Sequence, residues 1–390
     1  MFKLLIDVGF KKGGIIVSGY IFTLNSLESL REIAESGVYS TKLNVPDRVW
    51  GITHEGTFAD YYSMKPGDNV YFFHKRKIYG IGKLVNVAGH CIHLNFPHAD
   101  RVNCASFEEL QDQMILNGSE NNLNNRLLCT FGGDPYLFEN GVDMDEVLAS
   151  NPAAFRMLRA FWKVSFIKID DTENRALFDY ILKANEHNIN GSQGCFSNTD
   201  SIHKRIESLH NEDYVANSDN IISEVANGQV LRHEMAIEAA IVDYITRQTS
   251  NNLFGTWDYV SHQVVASPFK PVDYMDKIDI FGYRYIPGYS TVSKYLMLEI
   301  KKDAANMDVI NQAMKYVDWI EQEYSRDYSM IEAFVVANDF SPEVIELRDE
   351  SAKRFYMKGR TPAITYEWAN LRLIRYNYDE ASNLIHFEEM

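Results

Sequence analysis

Beyond residue 226 the chain alternates between helical and strand spacing, and this order limits the fold more than any other feature of the 390 residues. GQVLRHEMAIEAAIVDYITRQ sets apolar residues three and four apart and reads as a long amphipathic helix. DKIDIFGYRYI and KYLMLEIKK read as strands joined by the turn-rich PGYSTVS. DVINQAMKYVDWIEQEYS reads as a helix, MIEAFVVAND as a strand and ANLRLIRYNY as a last strand. With a further helix between the last two strands, the order is helix, strand, strand, helix, strand, helix, strand. Interleaving of this kind predicts a mixed sheet with helices packed on it, an α/β (α+β) domain.

KYLMLEIKK ends by aiming two charges the same way. Side chains at i and i+2 share a face of a strand, so Glu299 and Lys301 point together while Ile300 points into the core. Asp279 lies in the preceding strand between Ile278 and Ile280. If the two strands pair antiparallel, Asp279 and Glu299 converge at one end, and two carboxylates there suit a hard divalent cation that keeps several waters. That points to Mg²⁺, with Mn²⁺ able to substitute. Such an ion activates water and polarises a phosphoryl oxygen, with Lys301 beside the attacking water. Glu234 and Glu238 share a face of the long helix; Glu238, between Ile237 and Ile241, is the better candidate for a further acid. Glu-x-Lys alone also fits a surface strand pair; its setting is what gives it meaning.

HEMAIEAAI, KIDIFG, MLEIKK and NQAMKYV follow one another as the helix acid, the Asp strand, the E-x-K strand and the Q…Y helix do in the PD-(D/E)XK nuclease superfamily, which residues 230–345 resemble. The similarity is closest to its NucS and Mrr-like branch. The resemblance implies an αβββαβ core, Asp279, Glu299 and Lys301 as the catalytic set, Asp279 and Glu299 as metal ligands, Glu238 as the helix acid, and Gln312 close to the site.

Upstream, residues 1–187 mix aromatic strand-like runs with helices. SLESLREIAESG reads as a capped helix stopping at Gly37. NVYFFHKRKIYGIGKLVNV reads as a hairpin with HKRK at its turn, and Gly67-Asp68 as a tight turn before it. MDEVLASNPAAFRMLRAF reads as helical and WKVSFIKI as a strand. GYIFTLNSLESLREI, RVWGITHEG and YYSMKPGDNVYFFHKRKIYGIGKLV resemble the EVE/YTH branch of the PUA-like fold, small β-barrels that bind modified bases. The resemblance implies a sensor in which Trp50 stacks on a flipped base and Lys75, Arg76, Lys77 and Lys83 contact phosphates. Strands also bury their aromatics, so Trp50, Tyr71 and Phe73 have a competing reading as core. Residues 188–225, rich in Asn and Ser, read as a linker containing one short helix, leaving 226–390 as the nuclease-like domain.

A net charge of −16 argues against a non-specific nucleic-acid coat, though a groove can concentrate the Lys and Arg. Four scattered cysteines without metal-like spacing, no long apolar run and no signal peptide suit a cytoplasmic location. His90, His93 and His98 look like a metal cluster, but they fall in or near a loop with no matching acidic set and read as scattered surface residues. There is no phosphate-cradling G-x-x-x-x-G-K-S/T loop, hence no expected NTP hydrolysis, and no nucleophile elbow. The combined expectation is a Mg²⁺-dependent DNA endonuclease with an N-terminal sensor, acting in prokaryotic defence as a modification-dependent restriction or Shedu-like enzyme. Double-strand cutting implies a homodimer or larger assembly. The alternatives are a NucS-like repair endonuclease and a non-catalytic nucleic-acid-binding protein.

Overall fold

The computed structural model describes residues 17–45, 49–102, 105–132, 136–155, 165–189, 200–247, 253–266 and 276–390. It is a mixed α/β structure that divides into two compact units, residues 1–217 and 218–390.

In the first unit, β1 (Gly19–Thr23) leads into α1 (Leu27–Ser36). Ser26 caps α1 by accepting from the Ser29 amide, and Gly37 ends it in the left-handed conformation (φ 66°). There follow β2 (Val38–Lys42), α2 (Ile52–Tyr62), β3 (Asn69–His74), β4 (Lys77–Lys83), β5 (Ile92–Leu94), β6 (Asn125–Thr130), β7 (Tyr136–Asp143), α3 (Met144–Ser150), β8 (Phe166–Ile169), α4 (Asp171–Ala184) and α5 (Ser201–Leu209). The β3–β4 hairpin turns through Lys75 and Arg76, both at positive φ. Strand order is β7-β4-β3-β1-β8 in one sheet and β2-β6-β5 in another. Among the described residues these are two sheets touching at the isolated bridge Leu84–Phe131, not one closed barrel. The helix expected from residue 144 stops at Ser150; residues 156–164 lie outside the described residues.

The polar segment expected to be a linker is divided between the units. Helix α5 carries Ile202, Ile206 and Leu209 on one stripe, and these pack with Tyr214 on Val38, Val87, Ile115 and Leu128 of the first unit. From Ser218 the chain belongs to the second unit, where α6 (Ser218–Val225) buries Ile221, Ile222 and Val225. Asp243 of α7 (Glu234–Arg247) accepts the Ser218 amide at 3.0 Å.

The second unit continues with β9 (Tyr259–Val265), β10 (Lys277–Tyr285), β11 (Val292–Ile300), α8 (Met307–Ile320), β12 (Ile331–Ala337), α9 (Pro342–Ser351), the small hairpin β13 (Arg354–Lys358) and β14 (Ile364–Trp368), then β15 (Leu371–Asp379) and β16 (Leu384–Glu389). The six-stranded sheet has the order β9-β10-β11-β12-β15-β16. Its centre, β11-β12-β15, is parallel and its flanks are antiparallel. Every residue from Tyr295 to Ile300 is buried, as in strands covered on both faces. Residue spacing alone missed β9, the β13–β14 hairpin and β16, so ANLRLIRYNY is not the last strand. Gly282 of β10 is required by close approach: a Cβ there would lie 2.6 Å from the Tyr259 carbonyl oxygen.

Candidate active site in the second unit

Strands β10 and β11 run antiparallel with Ile280 opposite Leu298; one further step sets Asp279 opposite Glu299. At this point the strands part, and the Asp279 side chain takes over from the ladder: its Oδ2 accepts the Ile300 amide at 2.7 Å. Lys301 Nζ donates to Glu299 Oε1 at 2.6 Å. Glu299 is only 1% exposed and its Oε2 is buried without a hydrogen-bond partner. Asp279, Glu299 and Lys301 are therefore brought together at one end of the sheet, as their spacing requires.

Glu238, 2% exposed on α7, joins them through β9. Gln263 Nε2 donates to Glu238 Oε1 at 2.9 Å and to Asp279 Oδ1 at 3.2 Å, bridging the two acids. His262 Nδ1 lies 3.4 Å from Glu238 Oε2. Gln263 makes its bridge from φ +53°, a left-handed backbone rare for a side-chain-bearing residue within a strand. His262 and Gln263 were not anticipated from the sequence. Glu234, one turn earlier, reaches instead the Lys302 amide at 3.4 Å. Gln312 donates to Tyr316 Oη at 3.1 Å on α8 and not to a carboxylate.

The electrostatics follow from crowding acids in a low-dielectric edge. Burial, then the neighbouring Glu238 and Glu299, raises Asp279 well above the ordinary carboxylate range. Burial raises Glu299 to about 7 despite the opposing pull of Lys301. Burial draws Lys301 down, but Glu299 and Asp279 outweigh it, so the ammonium is held above its usual value. Asp279 and Glu299 thus carry an unmet demand for positive charge that one lysine does not satisfy. Among the described residues no three His, Cys, Asp or Glu side chains close around a single point.

The residues expected to read a base do not assemble. Trp50 is 1% exposed, packed edge-on against Phe58, with Nε1 donating to the Asp100 carbonyl at 2.9 Å. Its faces are taken up by the core, so it is a packing residue and not a stacking platform. Tyr71 is buried likewise. Lys75, Arg76 and Lys77 are exposed at the hairpin tip, where Arg76 pairs with Asp145. Lys83 ends the same strand six residues from Lys77, roughly 20 Å away at about 3.3 Å per residue, so the four cations form no single patch. A cavity of about 480 Å³ does open in this unit, lined by polar groups that include Asn25, Ser29, Glu32, Tyr39, Thr41 and Asn125. Asn125 Oδ1 is buried there without a partner.

No family model matches the chain, and no curated protein matches it. Among solved structures, a repair endonuclease from Pyrococcus abyssi aligns at 22% identity and a TM-score of 0.16. The alignment covers 21% of this chain and 32% of that protein, so the chain spans about a third of its length. Among the described residues no helix is long and apolar enough to cross a membrane.

Proposed function

We propose that the second unit is a Mg²⁺-dependent phosphodiesterase of PD-(D/E)XK type that cuts DNA. One observation carries this reading: Asp279, Glu299 and Lys301 meet at one end of β10 and β11, with a buried Glu299 oxygen lacking any partner. The helix–three strands–helix–strand order of α7, β9, β10, β11, α8 and β12 supports it.

Asp279 and Glu299 would hold the ion, which when bound supplies a low-pKa water and a Lewis acid for the phosphoryl oxygen. Lys301 orients the attacking water and offsets the charge that grows on the phosphorane. Glu238 keeps the bridging Gln263 in place and adds negative potential behind Asp279. Gln263 holds Asp279 Oδ1, leaving the rotamer of the aspartate fixed.

The polar cavity of the first unit has the size of a small-ligand site and supports a sensing role there, with a modified base as the ligand class. On this reading the protein is a sensor joined to a nuclease, acting in defence against foreign DNA as a homodimer or larger assembly. A repair endonuclease would share the same catalytic end and differ in substrate; a non-catalytic DNA-binding protein would share the fold alone.

Nicking of supercoiled plasmid in Mg²⁺ by wild type, Glu299→Ala and Lys301→Ala tests the chemistry. Cleavage by wild type alone is expected; equal cleavage by all three rejects the assignment. Modified, unmodified and mismatched duplexes, compared side by side, separate defence from repair.

A further inference from the structure

We propose that the β13–β14 hairpin is a DNA contact of the second unit, with Phe355 and Met357 pressed against the duplex and Lys353 and Arg360 on its phosphates. The inference rests on the nuclease reading for its substrate class and adds a contact away from the catalytic end. Residues 353–368 hold four Lys and Arg against one Glu, in a chain whose net charge is −16. An acidic protein that gathers positive charge on one ribbon presents that ribbon to a polyanion.

The hairpin is held on one face and bare on the other. Its register sets Phe355 opposite Glu367 and Met357 opposite Thr365, and strand alternation turns these four side chains the same way. Phe355 is 67% exposed and Met357 71%. The opposite face carries Tyr356 and Lys358 with Tyr366 and Trp368. Trp368 is buried and donates its indole N–H to the Ile331 carbonyl at 3.0 Å. Tyr356 and Tyr366 stack at 5.9 Å, and Lys358 lies over both rings while pairing with Asp327. Lys353 and Arg360 are exposed and stand in no ion pair among the described residues. Two large apolar side chains held side by side in water on a fixed support have the form of a contact surface. A cation precedes them at the root and another follows them at the tip, so the partner they fit carries phosphates.

A two-stranded ribbon fits the roughly 12 Å major groove, and Phe and Met are among the apolar wedges that proteins press against base steps. The place of the hairpin in the fold suits DNA that flanks the cut. Ile331, its anchor, pairs with Tyr295, whereas Ile300, next to Glu299, pairs with Val336 five residues further along. At about 3.3 Å per residue the root stands roughly 17 Å from the catalytic end, the length of about five base-pair steps. A groove of about 540 Å³ joins the two, with Ala266 and Asp276 at the catalytic end, Lys315 along α8, and Ser351 and Arg354 at the hairpin root. Asp276 pairs with Lys315 and Asp318 with Arg354, so the acids of this groove are neutralised along the path of a phosphate chain.

The test uses the full chain and a labelled duplex, with anisotropy in Ca²⁺ across salt concentrations and plasmid nicking in Mg²⁺. Phe355→Ser with Met357→Ser, at exposed positions where folding is not at stake, should weaken binding by about tenfold, the scale of one lost stacking contact. Lys353→Ala with Arg360→Ala should weaken it too, and lower the logarithmic salt slope by about two, one for each phosphate contact. Both pairs should raise KM for nicking and leave kcat unchanged, because neither touches the catalytic end. Wild-type cleavage with both pairs binding as tightly as wild type overturns the hairpin and spares the nuclease reading. Wild-type binding without cleavage, weakened in both pairs, overturns the nuclease reading and spares the hairpin. Unchanged DNA affinity with a smaller mass by light scattering assigns the ribbon to a second copy of the chain and overturns the proposal. A wild type that binds no duplex overturns it outright.

Discussion

The amide of Ile300 donates to Asp279 Oδ2 at 2.7 Å, so the aspartate of one strand is fastened to the backbone of the next between Glu299 and Lys301. This bond sets the spacing of the acids without using a third side chain. It also leaves the Asp279 carboxylate with both oxygens committed to donors, one from the backbone and one from Gln263.

Lys301→Ala and Glu299→Gln should each lower Mg²⁺-dependent cleavage by about 100-fold or more, the usual loss when a charge-stabilising group is removed. Lys301→Ala leaves a buried carboxylate without its cation, so its denaturation midpoint should fall further than that of Glu299→Gln. Chemical denaturation of both variants beside wild type checks this.

Stability without metal should fall as pH rises. Glu299 titrates near 7 in the folded chain, above the ordinary glutamate value of the unfolded one. The folded state therefore holds its proton over a range where the unfolded state has lost it, and stability declines from about pH 4.5 through about 7. Asp279, raised in the same direction, adds to the slope. Thermal midpoints measured in EDTA should drop across this window and flatten in Glu299→Gln. Mg²⁺ should restore stability most strongly at the alkaline end.

Gln263 separates strain from function. A side-chain residue at φ +53° costs roughly 1–2 kcal/mol, so Gln263→Gly should keep or raise stability relative to Gln263→Ala. Both should lose the bridge from Glu238 to Asp279 and cut more slowly, by about tenfold. A glycine variant as active as wild type would show the bridge to be incidental.

Trp50→Ala should destabilise the first unit by about 3–5 kcal/mol, the cost of emptying a large core site. Trp50→Phe should recover most of it. If DNA affinity of the Phe variant matches wild type in a binding assay across salt concentrations, the indole has no part in recognition.

Where local chemistry decides a structure, the sequence was readable. Ser26 and Gly37 bracket α1 as their residue types require, and the Lys75–Arg76 turn closes its hairpin at the charged break between two apolar runs. The Asp279, Glu299 and Lys301 grouping was legible because strand pairing converts spacing into contact. Strand β9 was missed because His262 and Gln263 break its apolar alternation, and those same residues reach Glu238. A polar interruption that costs a strand its pattern is the trace a site leaves in sequence. Of the two readings of Trp50, stacking platform and core residue, burial favours the core one, because an aromatic at a binding edge and one in the core look alike until burial is known. His93 was read as a surface residue because its partner, His210, lies 117 positions away.

Dissection of the chain into expressible pieces follows from how α5 is held. A fragment stopping at residue 187 would strip Ile206 and Tyr214 from the sheet they cover and leave an oily bed open to water. Cutting after Asn217 spares both this cover and the Ser218–Asp243 anchor that opens the other half. The place to part the protein is thus some thirty residues later than its composition invites, between Asn217 and Ser218.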